Sequence, residues 1–191
     1  MSRKKPVPAQ AGMGTGFATT TCDKKAVHTD MHDSNSVHRV IRVQREDFDA
    51  GAEMAALGEG RTDVGAVASF VGLCRDEGGR LAALELEHYP GMAEAEIGRV
   101  ADEAIARWPL LGLTAIHRHG KIGPGEQIVF VACASSHRQA AFEAAEFMMD
   151  FLKTSAPFWK REHLIDGTSG SWVAAKDEDD ERRARWQAAS Q

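Results

Sequence analysis

Two lysines, Lys153 and Lys160, bracket the segment KTSAPFWK and are followed directly by Arg161 and Glu162. An ammonium group can bind an anion, move a proton or, once desolvated, attack as a free amine. Lys153 comes straight after a long apolar run ending at Leu152, the place where a helix C-terminus stabilises positive charge. That setting favours the ammonium form, so anion binding and proton donation fit Lys153 better than amine nucleophilicity. Pro157 fixes its own φ and restricts Ala156, which makes the connection to Lys160 stiff. Phe158 and Trp159 are the expected anchors for it. Spacing alone also allows a plainer reading, a helix-ending cation followed by a solvated basic surface at Lys160 and Arg161.

A second candidate is His137–Arg138, at a strand-to-helix junction in SSHRQAAFEAAEF. Ser135 and Ser136 are helix-capping residues by type, and the backbone N–H groups of a helix start favour an anion such as phosphate. The alternative there is a capped helix start with two solvated side chains. Arg75 closes the apolar run FVGLCR and enters a turn, where it reaches either a pocket rim or solvent. Its neighbour Cys74 reads as a small buried hydrophobe rather than a nucleophile, because Arg75 is its only evident activator. His117 and His119 share a strand face and make half of a metal site at most, with no third ligand at a recognisable spacing. They read as histidines hydrogen-bonded within a sheet or at an interface. GKIGPG (120–125) matches neither the phosphate-loop nor the dinucleotide glycine pattern and reads as a turn, and no GxSxG elbow is present.

The elements that must hold these groups alternate along the chain. Residues 37–43 (VHRVIRV) form a short β-type run, and 47–57 a helix with Phe48, Ala52, Ala55 and Ala56 inward. Residues 64–74 (VGAVASFVGLC) are nearly continuously apolar, as expected of a strand covered on both faces. After the turn DEGGR, residues 81–89 alternate, with Leu84, Leu86 and His88 on one face, and the two runs suggest a hairpin. Residues 92–108 have a clear helical stripe through Ile97, Val100, Ala101, Ala104, Ile105 and Trp108, ended by Pro109. Residues 113–122 and 127–135 are two strands joined by the Gly123–Pro124–Gly125 turn, and 138–152 is a second long helix with Phe142, Ala145, Met149 and Leu152 inward. Trp172–Val173 suggests a last strand, DGTSGS (166–171) is a loose connection, and KDEDDERRAR (176–185) is a solvated helix or fraying tail. The sum is an α+β fold, two long helices packed on a mixed or antiparallel sheet.

Composition sets the frame. A chain of 191 residues, 43% hydrophobic and 27% charged, has the profile of one globular domain of ordinary size. A net charge of −5 speaks against a general nucleic-acid binder, though not against a local basic pocket. Three widely spaced cysteines without a CxxC pair exclude a disulfide framework and fit a reducing compartment. No apolar run approaches the ~18 residues of a membrane span, and the basic start has no apolar signal core, so cytoplasm is the expected location. Residues 1–36, rich in Gly, Thr, Ala, Pro and Ser, read as a disordered extension, part of which is a misassigned start if Met13 or Met31 initiates. The folded domain is expected over 37–191.

Taken in order, FVGLCR, LELEHYPGMAE, AIHRHGKIGPGEQIVFV and SSHRQAAFEAAEFMMDFLKTSAPFWKRE resemble the large, catalytic subunit family of molybdopterin synthases, over about Val37 to Trp186. The HRxG, SSHR and K-x6-K-x-E elements carry the resemblance jointly. It implies an α/β-hammerhead fold. It also implies a sulfurtransferase that converts cyclic pyranopterin monophosphate to molybdopterin by installing two dithiolene sulfurs. The sulfur would arrive as a thiocarboxylate on the C-terminal Gly-Gly of a small ubiquitin-like partner, in a heterotetramer built on a dimer of large subunits, with no cofactor and no metal at this step. Carried over by motif, Lys153 and Lys160 are the catalytic pair, with Lys153 beside the thiocarboxylate. Lys160, Arg161 and Glu162 line the substrate site. His137 and Arg138 bind the pterin or its phosphate from the neighbouring protomer, and Leu73, Cys74 and Arg75 complete the pocket. The extension 1–36 and the DGTSGS stretch depart from the family pattern without touching these residues. Two other readings remain open on sequence: a non-catalytic module that docks a Gly-Gly-tailed protein, and a Schiff-base lyase using Lys153 as the amine.

Overall fold

The computed structural model describes residues 37–76, 78–154, 156–173 and Trp186. The expected N-terminal extension and the 176–185 tail lie outside the described residues. Two four-stranded sheets and three helices make up the fold, an α+β arrangement as expected from the alternating pattern. In the first sheet β1 (His38–Gln44) runs parallel to β4 (Leu110–Arg118), which pairs antiparallel with β6 (Gln127–Ser135), itself antiparallel to β2 (Ala66–Leu73). The second sheet is antiparallel throughout, in the order β5 (Gly120–Ile122), β3 (Leu81–His88), β7 (Phe158–Leu164), β8 (Ser169–Val173).

Strand alternation divides the first sheet's side chains between two cores. Leu113, Ala115, Val129, Val131 and Cys133 face the long helices α2 (Met92–Arg107) and α3 (Arg138–Thr154), where Ile97, Val100, Ala101, Ala144 and Met148 meet them. Ile116, Phe130, Ala132 and Ala134 face the short α1 (Ala50–Gly58) through Leu57 and Met54. Each such fully buried aliphatic or phenyl side chain contributes roughly 1.5–3 kcal/mol. Asp49 caps α1 by accepting the Ala52 N–H at 3.0 Å.

Five local expectations need correction. Within α1 the inward residues are Met54 and Leu57, while Ala52, Ala55 and Ala56 are exposed, because the helix starts at the Asp49 cap rather than at Asp47. On α3 Phe142 points to solvent at 65% exposure, whereas Ala145 and Leu152 are buried as expected. The helix presents Ala141, Ala144 and Met148 to the sheet, and the small alanines let it approach closely. The apolar β2 is an edge strand, not a covered one, and leaves Val67, Phe70 and Leu73 at 39%, 45% and 55% exposure. It forms no hairpin with β3. After Leu73 the Cys74 N–H donates to the Glu126 carbonyl at 2.8 Å and the Gly125 N–H to the Cys74 carbonyl at 2.7 Å, which sends the chain across to the second sheet. Finally, the expected strand 113–122 is two strands. At Gly120 the backbone takes φ 87°, a left-handed conformation natural to glycine, and β5 leaves the first sheet to join β3 in the second.

Candidate active site

A cleft of about 750 Å³ opens where the two sheets meet the C-terminal end of α3, a volume suited to a small organic substrate. Most of its wall is apolar: Phe70 and Val71 of β2, Leu84 and Leu86 of β3, Ile128 of β6, Met149 and Leu152 of α3. Into this wall come Arg75, Lys153 and Lys160 from three separate segments, together with Cys74 and His117. Cations set along an apolar wall draw an anion to it, and their hydrogen bonds to that anion are charge-assisted.

Each segment reaches the cleft for a local reason. Lys153 occupies the last turn of α3, which ends as the Thr154 hydroxyl donates back to the Asp150 carbonyl at 2.9 Å. The Ala156 N–H donates to the Phe151 carbonyl at 3.3 Å, and across Pro157 the Phe158 N–H donates to the Ala156 carbonyl at 2.7 Å. This tight turn starts β7 at once and sets Lys160 opposite Leu86 in the β3–β7 ladder. Leu73, Cys74 and Arg75 reach the cleft just past an irregularity in the β2–β6 ladder between Gly72 and Leu73, the kind of bulge that re-aims side chains beside functional sites. At Gly72 a Cβ would lie 2.6 Å from Val129 Cγ1 and 3.2 Å from Phe70 Cε1, so glycine lets β2 and β6 close up there.

Cys74 is 2% exposed, its Sγ lies 3.7 Å from the Ile122 carbonyl, and burial pushes its thiol up in pKa. A protonated, buried thiol is a poor nucleophile, in keeping with its reading as a small hydrophobe. Buried Cys133, in the helix-facing core, is pushed up to about 12 for the same reason.

Arg161 does not line the cleft. It donates to Glu85 Oε2 through Nη2 at 2.6 Å and Nε at 3.2 Å, with its guanidinium carbon 4.7 Å from the centre of the Trp172 ring. His163 Nε2 meets the same oxygen at 2.7 Å, and Ser169 Oγ lies 3.0 Å from His163 Nδ1. Arg161 foremost, with His163, lowers the Glu85 carboxyl to about 2. Strand alternation puts Glu162 on the Lys160 side of β7, exposed and outside the cleft lining. His137 and Arg138 are exposed at the β6–α3 junction. From Val129, on the cleft wall, they stand off by most of the length of β6, roughly 20 Å at the usual strand rise. Ser135 is fully buried at that junction, donates its hydroxyl to the Pro109 carbonyl at 2.8 Å and accepts from the His137 N–H at 3.4 Å.

Phe70, Met149 and His117 are among the cleft residues that sequence reasoning did not assign to the site. For His117 a signal existed: it follows Leu113 and Ala115 at period two, on the face that meets the long helices. Its ring is 6% exposed, and desolvation, with Lys160, His88 and His119 nearby, lowers its pKa to about 4 against the pull of the Arg118 carbonyl. Among the described residues, no group of three His, Cys, Asp or Glu side chains has a metal-holding arrangement.

The chain matches the family described as MoaE protein over residues 43–155. It is 68% identical over 151 residues to the molybdopterin synthase catalytic subunit of Mesorhizobium japonicum, covering 79% of this chain and 95% of that one. Among solved structures, the molybdopterin biosynthesis MoaE protein of Burkholderia ambifaria superposes with a TM-score of 0.67 at 49% identity, over 78% of this chain and 98% of that one. The molybdopterin synthase of Staphylococcus aureus does so with 0.62 at 28% identity, over 69% and 95%. With the family match spanning more than half of the sequence and relatives this similar over most of their length, the chain belongs to the MoaE family.

Proposed function

We propose that this chain is the catalytic subunit of a molybdopterin synthase and works in the cytoplasm. It converts cyclic pyranopterin monophosphate to molybdopterin by installing two dithiolene sulfurs delivered as a thiocarboxylate on the C-terminus of a small ubiquitin-like partner. The observation that carries this reading is the convergence of Arg75, Lys153 and Lys160 on one apolar cleft. Both reactants are anionic there, and neither would enter without cationic partners. A catalytic subunit, as the relatives are named, works with another subunit, and the Gly-Gly tail of the partner is the reactant that must reach this cleft. Lys153 stands beside the thiocarboxylate and assists attack and proton transfer as an ammonium. Lys160 lines the substrate site with Arg75, Leu73 and Cys74. The exposed His137 and Arg138 serve the cleft of a neighbouring protomer in a dimer of large subunits, gripping the pterin or its phosphate. Arg161 braces β7 against β3 through Glu85, and Glu162 is an exposed carboxylate on the Lys160 face of the strand. Residues 37–191 form the catalytic domain, with 1–36 as an added extension.

The test is turnover by the purified full-length chain with the cyclic precursor, with and without thiocarboxylated partner. Product is expected only with the partner present. Lys153→Ala should fold normally and lose about 10²–10⁴-fold in rate, the usual scale for a positioned proton-transfer group. Tight partner binding without product under any condition would replace this reading with a docking module.

A further inference from the structure

The two histidines of the HRHG segment (117–120) join His88 and Phe158 in a chain of four packed rings at the seam of the two sheets. Phe158 of β7 stacks on His117 at 3.8 Å between ring centres and 15° between planes. His88 of β3 packs 5.8 Å from Phe158 and 4.5 Å from His119. The His117 ring is therefore held flat against β7 and cannot turn freely.

Its remaining freedom, the position of the proton, is fixed from behind. His117 Nδ1 lies 2.8 Å from the Arg118 carbonyl. A carbonyl only accepts, so Nδ1 carries the hydrogen and Nε2 keeps a bare lone pair. Phe158 and Lys160 are two residues apart on β7 and leave it on the same face. The side chain of Lys160 thus rises beside the ring on which Phe158 lies, and both His117 and Lys160 line the cleft.

Building on the synthase reading, we propose that His117 is a positioning residue for Lys160, presenting its proton-free Nε2 as the acceptor that orients the Lys160 ammonium at the cleft wall. A second function follows from the same arrangement. The imidazole stays neutral beside Lys160, so the cleft gains a hydrogen-bond acceptor without a further positive charge. The charged and titratable groups around it are consistent with this. Lys160 comes from β7, His88 from β3 and His119 from the end of β4, all opposing protonation of His117, and Lys153 lines the same cleft from α3. Glu94 reaches His88 at 4.0 Å, on the side away from the cleft lining.

Two arms test it. In the first, ¹⁵N spectra of the imidazoles are recorded against pH for the full chain and for Lys160→Gln. His117 should read as the neutral Nδ1–H tautomer from pH 5 to 9 by the same reasoning on carbonyl pairing, roughly, and its pKa should rise by about half a unit in Lys160→Gln as the neighbouring charge is removed. An Nε2–H tautomer, or a titration unmoved by Lys160→Gln, overturns the proposal. The second arm measures single-turnover rate against pH, with thiocarboxylated partner, for His117→Phe and His117→Gln. Phenylalanine keeps the stack and lacks the acceptor, so the rate should fall about 10-fold. The alkaline limb should also move to lower pH, because an ammonium without its acceptor loses its proton more easily. Glutamine restores an acceptor near the Nε2 position and should recover most of the rate and the original limb. Loss of rate with an unmoved limb in both variants would make His117 merely structural and overturn the proposal. Absence of turnover in the unaltered chain would sink the synthase reading instead, and the spectroscopic arm would still decide the role of His117. That arm also decides if His117→Phe fails to fold.

Discussion

Trp186 donates its indole N–H to the buried carboxylate of Asp150 at 2.8 Å, one turn of α3 before Lys153. The same indole meets Trp108 and Phe147 edge-on at 5.7 and 5.5 Å, and the Trp186 carbonyl accepts from Arg107 at 3.1 Å. A residue far along the chain therefore braces the helix that carries a cleft lysine. Trp186→Phe, which keeps the ring contacts and loses the donor, should lower unfolding stability by about 1 kcal/mol. Trp186→Ala should lower it by roughly 2–4 kcal/mol through lost packing as well. Denaturant titration with an unchanged m-value reads both, and undiminished stability in Trp186→Phe would show that the indole N–H contributes nothing.

Glu85 makes stability fall on the acid side. Its carboxyl is depressed from 4.5 to about 2 in the folded chain, by Arg161 first and His163 second. A depressed carboxyl stabilises fully above its unfolded value, and the contribution is lost as pH falls from 4.5 through about 2. Unfolding midpoints measured across that window should drop steeply for the natural chain and less steeply for Glu85→Gln. Parallel curves would place the acid sensitivity elsewhere.

Gly72→Ala tests how tightly β2 is held against β6. The new methyl would meet Val129 Cγ1 at 2.6 Å, and neither strand has a flexible side-chain end to yield there. A loss of about 1–3 kcal/mol is expected, together with a weaker grip on substrate, because Leu73, Cys74 and Arg75 follow directly on the displaced backbone. A KM rise with near-normal Tm would instead mean that the strand shifts without strain.

If His137 and Arg138 complete the cleft of a neighbouring protomer, two inactive variants should rescue each other. Mixing Lys153→Ala with Arg138→Ala in equal amounts, with subunit exchange, leaves about a quarter of the sites of a symmetric dimer with both native residues. Activity near that fraction is the expected outcome. No recovery after demonstrated exchange would mean that each site is built within one chain.

The long helices were legible because their pattern is local. Ile97, Val100, Ala101 and Ala104 recur at helical spacing and are all buried as that spacing requires. Phe142 shows where such reading stops: size suggested that it faces in, while the buried face of α3 runs through Ala141, Ala144, Met148 and Leu152. Pairing between strands is a distant property, so the apolar run of β2 gave no sign that it lies at an edge. Nor did GKIGPG reveal that its first three residues form a strand of the second sheet, between two strands of the first. Lys153, Lys160, Leu73, Cys74 and Arg75 do meet at one cleft, as the family motifs imply. The role of His117 was hidden because its hydrogen bond to the Arg118 carbonyl, correctly expected of a sheet histidine, gives no hint of what the other nitrogen faces.

The left-handed step at Gly120 has a mechanical consequence. A single residue, His119, separates the last position of a central strand in one sheet from the first position of an edge strand in the other. The two jaws of the cleft are thereby welded at one short joint. That joint adds to the crossing after Leu73 and the tight turn from α3 into β7, so the two sheets are tied to each other at several places along the chain.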